Sequence, residues 1–220
     1  MSDSPAPILL KDVLTESVAL ARASPGLVKA VLAIQIVLGT AIDLSLDPRD
    51  AARANMMLGL PYLYLQLLVT AVALRTLGLV PEGADERRPT MGRFPAAFGL
   101  GLVYLLGVVL GLIAFVIPGL LLILRWSVSL PALLAEDRTL MDSLRRSWEL
   151  TAGRLTLLLQ FFALIVLAAI AVMGANVLAY PDYGRPAAHA SLIVTILVAL
   201  FYTAQWLMVT ALYAALRRAE

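Results

Sequence analysis

Six runs of about twenty residues, each nearly free of charge, constrain this chain more than any other feature. They fall at 26–46, 57–79, 96–117, 118–135, 155–180 and 190–216. A helix rises about 1.5 Å per residue, so about 20 apolar residues cross the hydrocarbon core of a bilayer. The runs are too long for strands and do not alternate. In lipid every backbone N–H and C=O must be satisfied internally, and a helix does this within one segment. The sequence therefore predicts an all-α integral membrane protein, a single polytopic domain over 1–220 with six transmembrane helices. Composition agrees: 61% of the 220 residues are hydrophobic, 15% are charged, and mean hydropathy is +0.89. Soluble domains carry about 25% charged residues, which excludes both a water-soluble enzyme domain and a disordered chain.

The third and fourth runs are separated only by Ile117-Pro118-Gly119, which predicts a helical hairpin turning there. The N-terminal stretch mixes Asp3, Lys11, Asp12, Glu16 and Arg22 among apolar residues and does not read as a secretory signal.

Orientation follows from Lys and Arg. The side holding the N-terminus collects 14 of the 17 basic residues, Arg125 within a span included; the other side holds Arg49, Arg53 and Arg185. Both termini are expected to be cytoplasmic, in a bacterial inner membrane. Tyr62, Tyr64 and Tyr180 then fall near the outer interface, and Trp148 and Tyr213 near the inner one.

Two stretches are amphipathic rather than spanning, at 8–23 and 139–153, and predict helices lying in the interface. In the first, Leu10, Val13, Leu14, Ser17, Val18 and Ala21 share a face. In the second, Leu140, Leu144 and Trp148 form a stripe with Met141 beside it, and Leu144 and Trp148 are the expected interfacial anchors. Thr139 and Asp142 suit an N-terminal capping box, and Gly153 a stop. The two helices are alike at an offset of 130. Leu10/Leu140, Asp12/Asp142, Leu14/Leu144, Ser17/Ser147 and Leu20/Leu150 are identical, which suggests a repeated unit of surface helix plus hairpin.

The run VIPGLLLILRWSVSLPALLAEDRTLMDSLRRSWELTAGR, at 116–154, resembles the bacterial glycerophosphoryl diester phosphodiesterase membrane-domain family and its stand-alone YciC-like relatives. The shared features are a Pro-Gly, an Arg followed by apolar residues and Pro, an acidic residue, and a Ser-Trp-Glu-Leu-Thr-like helix. Elsewhere only the span layout is similar. The resemblance implies a polytopic helical protein whose molecular role is poorly defined, and it carries no catalysis over to this chain. The phosphodiesterase activity belongs to a separate soluble domain that has no counterpart in these residues.

No motif for catalysis, cofactor or metal stands out. Cysteine is absent and His189 is the single histidine; with Asp182 it offers too few ligands for a metal. Asp137 and Asp142 read as helix-end carboxylates, and Glu82, Asp85 and Glu86 as a solvated loop beside Arg87 and Arg88. Gln35, Gln66, Gln160 and Gln205 lie in four different spans, as interhelical glue or, alternatively, as a polar path for a solute. Gly107 and Gly111 place small residues on one helical face, for packing within the chain or for self-association.

Two features point to partners. Arg138, Arg145, Arg146 and Arg154 surround the second amphipathic helix and are candidates for anionic lipid headgroups. Arg125 is the only charge between Arg93 and Glu136, and Asp43 near the end of the first span is its candidate partner. Membrane lipids, and another membrane protein or a second copy, are the expected partners; nucleic acid is not. The expected function is a lipid-associated or scaffolding, membrane-organising role. The alternative is a transporter or permease-like component for an unidentified solute or lipid.

Overall fold

A computed structural model describes residues 8–80, 90–179 and 188–220. Glu82, Asp85, Glu86, Arg87, Arg88, Tyr180, Asp182 and Arg185 lie outside the described residues. Within them the chain is helical throughout, without strands. The helices are α1 (Leu10–Ala23), α2 (Pro25–Ser45), α3 (Pro48–Met57), α4 (Gly59–Thr76), α5 (Phe94–Ala114), α6 (Val116–Arg125), α7 (Ser129–Ala135), α8 (Leu140–Leu150), α9 (Leu155–Ala179) and α10 (Ala188–Arg218).

Among the described residues, five segments are long and apolar enough to cross a membrane: Pro25–Ser45, Phe94–Ala114, Val116–Ala135, Leu155–Ala179 and His189–Arg218. This is the pattern of a multi-pass membrane protein. The second predicted run folds as the 18-residue α4, which is not among the five. Pro61, Tyr62, Tyr64, Gln66 and Arg75 dilute its apolar character. In compensation α4 is turned inward, with Leu65, Leu67, Val69, Thr70, Ala71, Ala73 and Leu74 all buried in the bundle.

The hairpin of α5 and α6 forms, but its turn lies at Phe115, whose extended backbone (φ −162°, ψ 145°) links the two helices. Pro118 sits in the first turn of α6, where its missing N–H removes no helical bond. Gly119 is needed for a different reason. A Cβ there would lie 2.7 Å from the Leu112 backbone nitrogen, and one on Gly111 would lie 2.9 Å from Gly119 Cα. The two backbones meet where neither has a side chain. Lower down, Trp126 covers the place a Cβ of Gly107 would occupy. Gly107 and Gly111 thus pack the hairpin of their own chain.

α2 and α10 run antiparallel. Gln35 Nε2 donates to Thr203 Oγ1 at 3.0 Å, and Ser191 Oγ donates to Asp43 at 3.0 Å. α4 runs parallel to α10: Tyr62 stacks on Tyr202 with ring centroids 5.8 Å apart, and Arg217 reaches the Leu79 carbonyl at 3.1 Å. The core lies between these helices and α7, around Leu67, Leu74, Val128, Leu212, Tyr213 and Leu216.

The amphipathic stretches are helices, but their apolar faces meet protein. In α1, Val13, Ser17 and Leu20 are buried, chiefly against α10. In α8, Ser143, Leu144, Ser147 and Leu150 are buried, chiefly against α7. Leu144 is therefore not a lipid anchor. It docks α8 onto the bundle, while Met141 and Trp148 stay exposed. The offset of 130 extends to structure. Both helices start at the matched leucines, and positions 13/143, 17/147 and 20/150 are buried in each. The caps correspond less closely. Asp12 Oδ2 accepts from the Leu9 amide at 3.1 Å, whereas Thr139 Oγ1 accepts from the Asp142 amide at 3.3 Å. Gly153, at φ +72°, ends the second helix as expected.

Candidate functional site

One end of the bundle gathers a connected set of charged side chains, and Glu136 is its centre. It follows α7, whose residues Pro131 to Ala135 are all apolar and buried and pull the carboxylate inward. Its oxygens accept from Arg138 Nε at 2.6 Å, Arg146 Nε at 3.0 Å and Tyr213 Oη at 2.8 Å. Arg146 also forms a fork with Glu220, at 2.7 and 2.6 Å. The side chains of Glu136 and Arg146 are 10% and 16% exposed. Burial by itself would raise the Glu136 carboxyl, but hydrogen bonds from Arg138, Arg146 and Tyr213 outweigh it and hold its pKa below the ordinary value. The bond to Glu220 leads the causes that raise Arg146.

Around this centre the helix ends are tied in pairs. Arg93, before α5, pairs with Asp137 at 3.5 Å; Asp137 has φ 48°, a left-handed conformation that Asp tolerates better than most residues. Arg154, before α9, donates to the Ala219 carbonyl at 3.1 Å. Arg218 joins Glu16 of α1 at 2.7 Å. A carboxylate stabilised in its ionised form by three donors is a poor proton acceptor near neutral pH. The arrangement clamps helix ends.

This revises the expected set of headgroup arginines. Arg146 and Arg154 are engaged within the chain, and Arg138 binds Glu136 with its side chain 38% exposed. Arg145 is the open one: 81% exposed, with only a helical-surface pair to Glu149 at 3.1 Å.

The expected Arg125–Asp43 pair does not form. Asp43 lies at the far end of α2 against Ser191 of α10, while Arg125 turns towards α8. Its guanidinium carbon lies 5.3 Å from the centre of the Trp148 ring. Its Nε and Nη1 atoms are buried and have no hydrogen-bond partner. The Arg125 carbonyl accepts from Ser147 Oγ at 2.7 Å and Thr151 Oγ1 at 3.4 Å, which pins α6 to α8 where the helix breaks at Trp126–Val128.

Three of the four glutamines sit in separate settings. Gln35 is bonded to Thr203, Gln160 is exposed on α9, and Gln205 lines a cleft of about 230 Å³ between α9 and α10. No group of three or more His, Asp or Glu able to hold a metal occurs among the described residues.

The role of Glu136 was not apparent from the sequence, nor were those of Tyr213 and Glu220. The acidic residue directly after an apolar run, with Arg138 two positions on, was the available signal, but its other partners, Arg146 and Tyr213, lie 10 and 77 positions away. No family model, curated protein or solved structure matches the chain.

Proposed function

We propose that the chain is a non-enzymatic bacterial inner-membrane protein with six crossings and both termini cytoplasmic, in a lipid-associated or membrane-organising role. The observation that carries this reading is the direction of its side chains: apolar ones face outward and charged ones face each other. Ile113, Phe115 and Ile117 at the hairpin tip are 75–80% exposed, and Leu178 on α9 is 84% exposed. The clamp around Glu136 gathers at the opposite end. Such a surface is suited to lipid contact along its length and a rigid face at one leaflet.

The sixth crossing is α4. Its parallel run beside α10, from Tyr62 at Tyr202 to Leu79 at Arg217, favours it. Its modest hydropathy fits a helix sheltered by neighbours. The 14-to-3 distribution of Lys and Arg favours the cytoplasmic assignment of the clamped end. The resemblance of 116–154 to the membrane domain named above favours a polytopic protein without its own catalytic centre.

A second reading, a permease-like component, has one observation in its favour, the α9–α10 cleft. Its walls include Leu164, Val172, Phe201 and Met208, with Gln205 as the polar member. Such walls suit an acyl chain or another apolar solute better than an ion.

Reconstitution separates the two. Purified protein in proteoliposomes should retain bound phospholipid from its host membrane and should not raise lipid scrambling or the leak of small solutes above protein-free vesicles. Transfer that is present in the parent and abolished by Gln205→Leu would replace the organising role with the permease.

A further inference from the structure

We propose that Arg125, laid on the face of Trp148, is a recognition site for a phosphate oxyanion, supplied by a phospholipid headgroup or by free phosphate. The inference rests on the lipid-embedded reading above only for where the site sits. A guanidinium is charged at any attainable pH and carries five N–H donors. Here Nε and Nη1 are buried without an acceptor. Other buried or half-buried arginines of the chain are matched: Arg93 with Asp137, Arg146 with Glu136, Arg154 with the Ala219 carbonyl. Arg125 stands apart from this pattern, and the carboxylate that the sequence offered, Asp43, is not its partner.

Snorkelling, the ordinary accommodation of such a residue, brings the donors to water. It does not account for Nε and Nη1, which remain covered. The ring of Trp148 stabilises the cation and fixes its plane but accepts no conventional hydrogen bond. The backbone beneath is fixed as well, by Ser147 and Thr151 on the Arg125 carbonyl. The charge is therefore held over the Trp148 ring and has no ion pair among the described residues. Arg125 is only partly buried and Trp148 is 40% exposed, so the pair reaches the protein surface. With Nε and Nη1 covered, Nη2 is the nitrogen left to meet a ligand, and a phosphodiester or phosphate oxygen at the membrane-protein surface supplies the charge that the guanidinium is missing.

Native mass spectrometry of the full chain in detergent tests this, with phosphatidylglycerol, phosphatidylcholine and inorganic phosphate as separate probes. For a lipid source, the parent binds phosphatidylglycerol, Arg125→Gln loses about fivefold or more in affinity, and Arg125→Lys recovers part of it. Trp148→Leu, which keeps the charge and removes its support, also weakens binding and serves if Arg125→Gln does not fold. Arg53→Gln, which breaks only an exposed pair with Asp50 on α3, leaves binding unchanged. For a free-anion source, inorganic phosphate binds, and Arg125→Gln removes that binding without a lipid preference. Equal affinities for every probe in the parent, Arg125→Gln and Trp148→Leu overturn the proposal. Membrane fractionation of the same variants reads the lipid-embedded assignment separately, because loss of the phosphate site leaves the protein in the membrane.

Discussion

At the scale of single residues the fold depends on charges that neutralise one another, and Glu136 is the most consequential. Glu136→Gln removes a carboxylate that receives three donors and leaves Arg146 with Glu220 as its remaining carboxylate partner. Hydrogen bonds to charged groups contribute about 1.5–3 kcal/mol each, and the more exposed members, Arg138 and Glu220, return part of this to solvent. We expect a loss of about 2–3 kcal/mol, read by denaturation in mild detergent. Arg145→Ala, which breaks only the exposed pair with Glu149, should change stability by less than about 0.5 kcal/mol. The sign of the pH effect follows from the lowered Glu136 pKa. Its stabilisation is fully present above the unfolded-chain value, about 4.3, and disappears as pH falls through the lower folded value. The parent should therefore lose stability on acidification below about pH 4.5, and Glu136→Gln should lose less over the same window. Identical acid profiles would remove Glu136 from this role.

At the scale of elements, what the sequence disclosed and what it withheld divide along a physical line. The long helices were legible because contact with lipid demands an unbroken apolar stretch, a property local to each segment. The capping of α8 by Thr139 was legible for the same reason. Partners of Arg146, Arg154 and Arg125 were not, since a cation's acceptor is chosen by tertiary packing and leaves no periodic trace. The faces of α1 and α8 show the boundary between the two cases. Amphipathic spacing reveals that one face is buried, but not whether lipid or protein buries it. Two experiments address the packing itself. Leu144→Ala should cost about 2–4 kcal/mol as a buried deletion, whereas Met141→Ala, 63% exposed, should be nearly neutral. In the hairpin, Gly111→Ala and Gly119→Ala each force a Cβ into backbone and should destabilise by about 1–3 kcal/mol. Gly101→Ala, with nothing within 4 Å of its added carbon, should be neutral or stabilise slightly. Equal effects at Gly101 and Gly119 would mean that the hairpin contact is absent.

At the scale of the whole molecule the central claim is that α4 crosses the membrane as a sheltered sixth helix, so that Glu16, Leu79, Arg93, Glu136, Arg154 and Arg217 share one side. The chain contains no cysteine, so single cysteines can be introduced one at a time into an otherwise silent background. The direct measurement is labelling of Met57→Cys, just before α4, and Thr76→Cys, its last residue, by a membrane-impermeant maleimide in intact cells and in cells opened to the reagent. The account predicts that Met57→Cys reacts in intact cells and that Thr76→Cys reacts only after the cells are opened. Labelling of both positions from the same side of the membrane would contradict it.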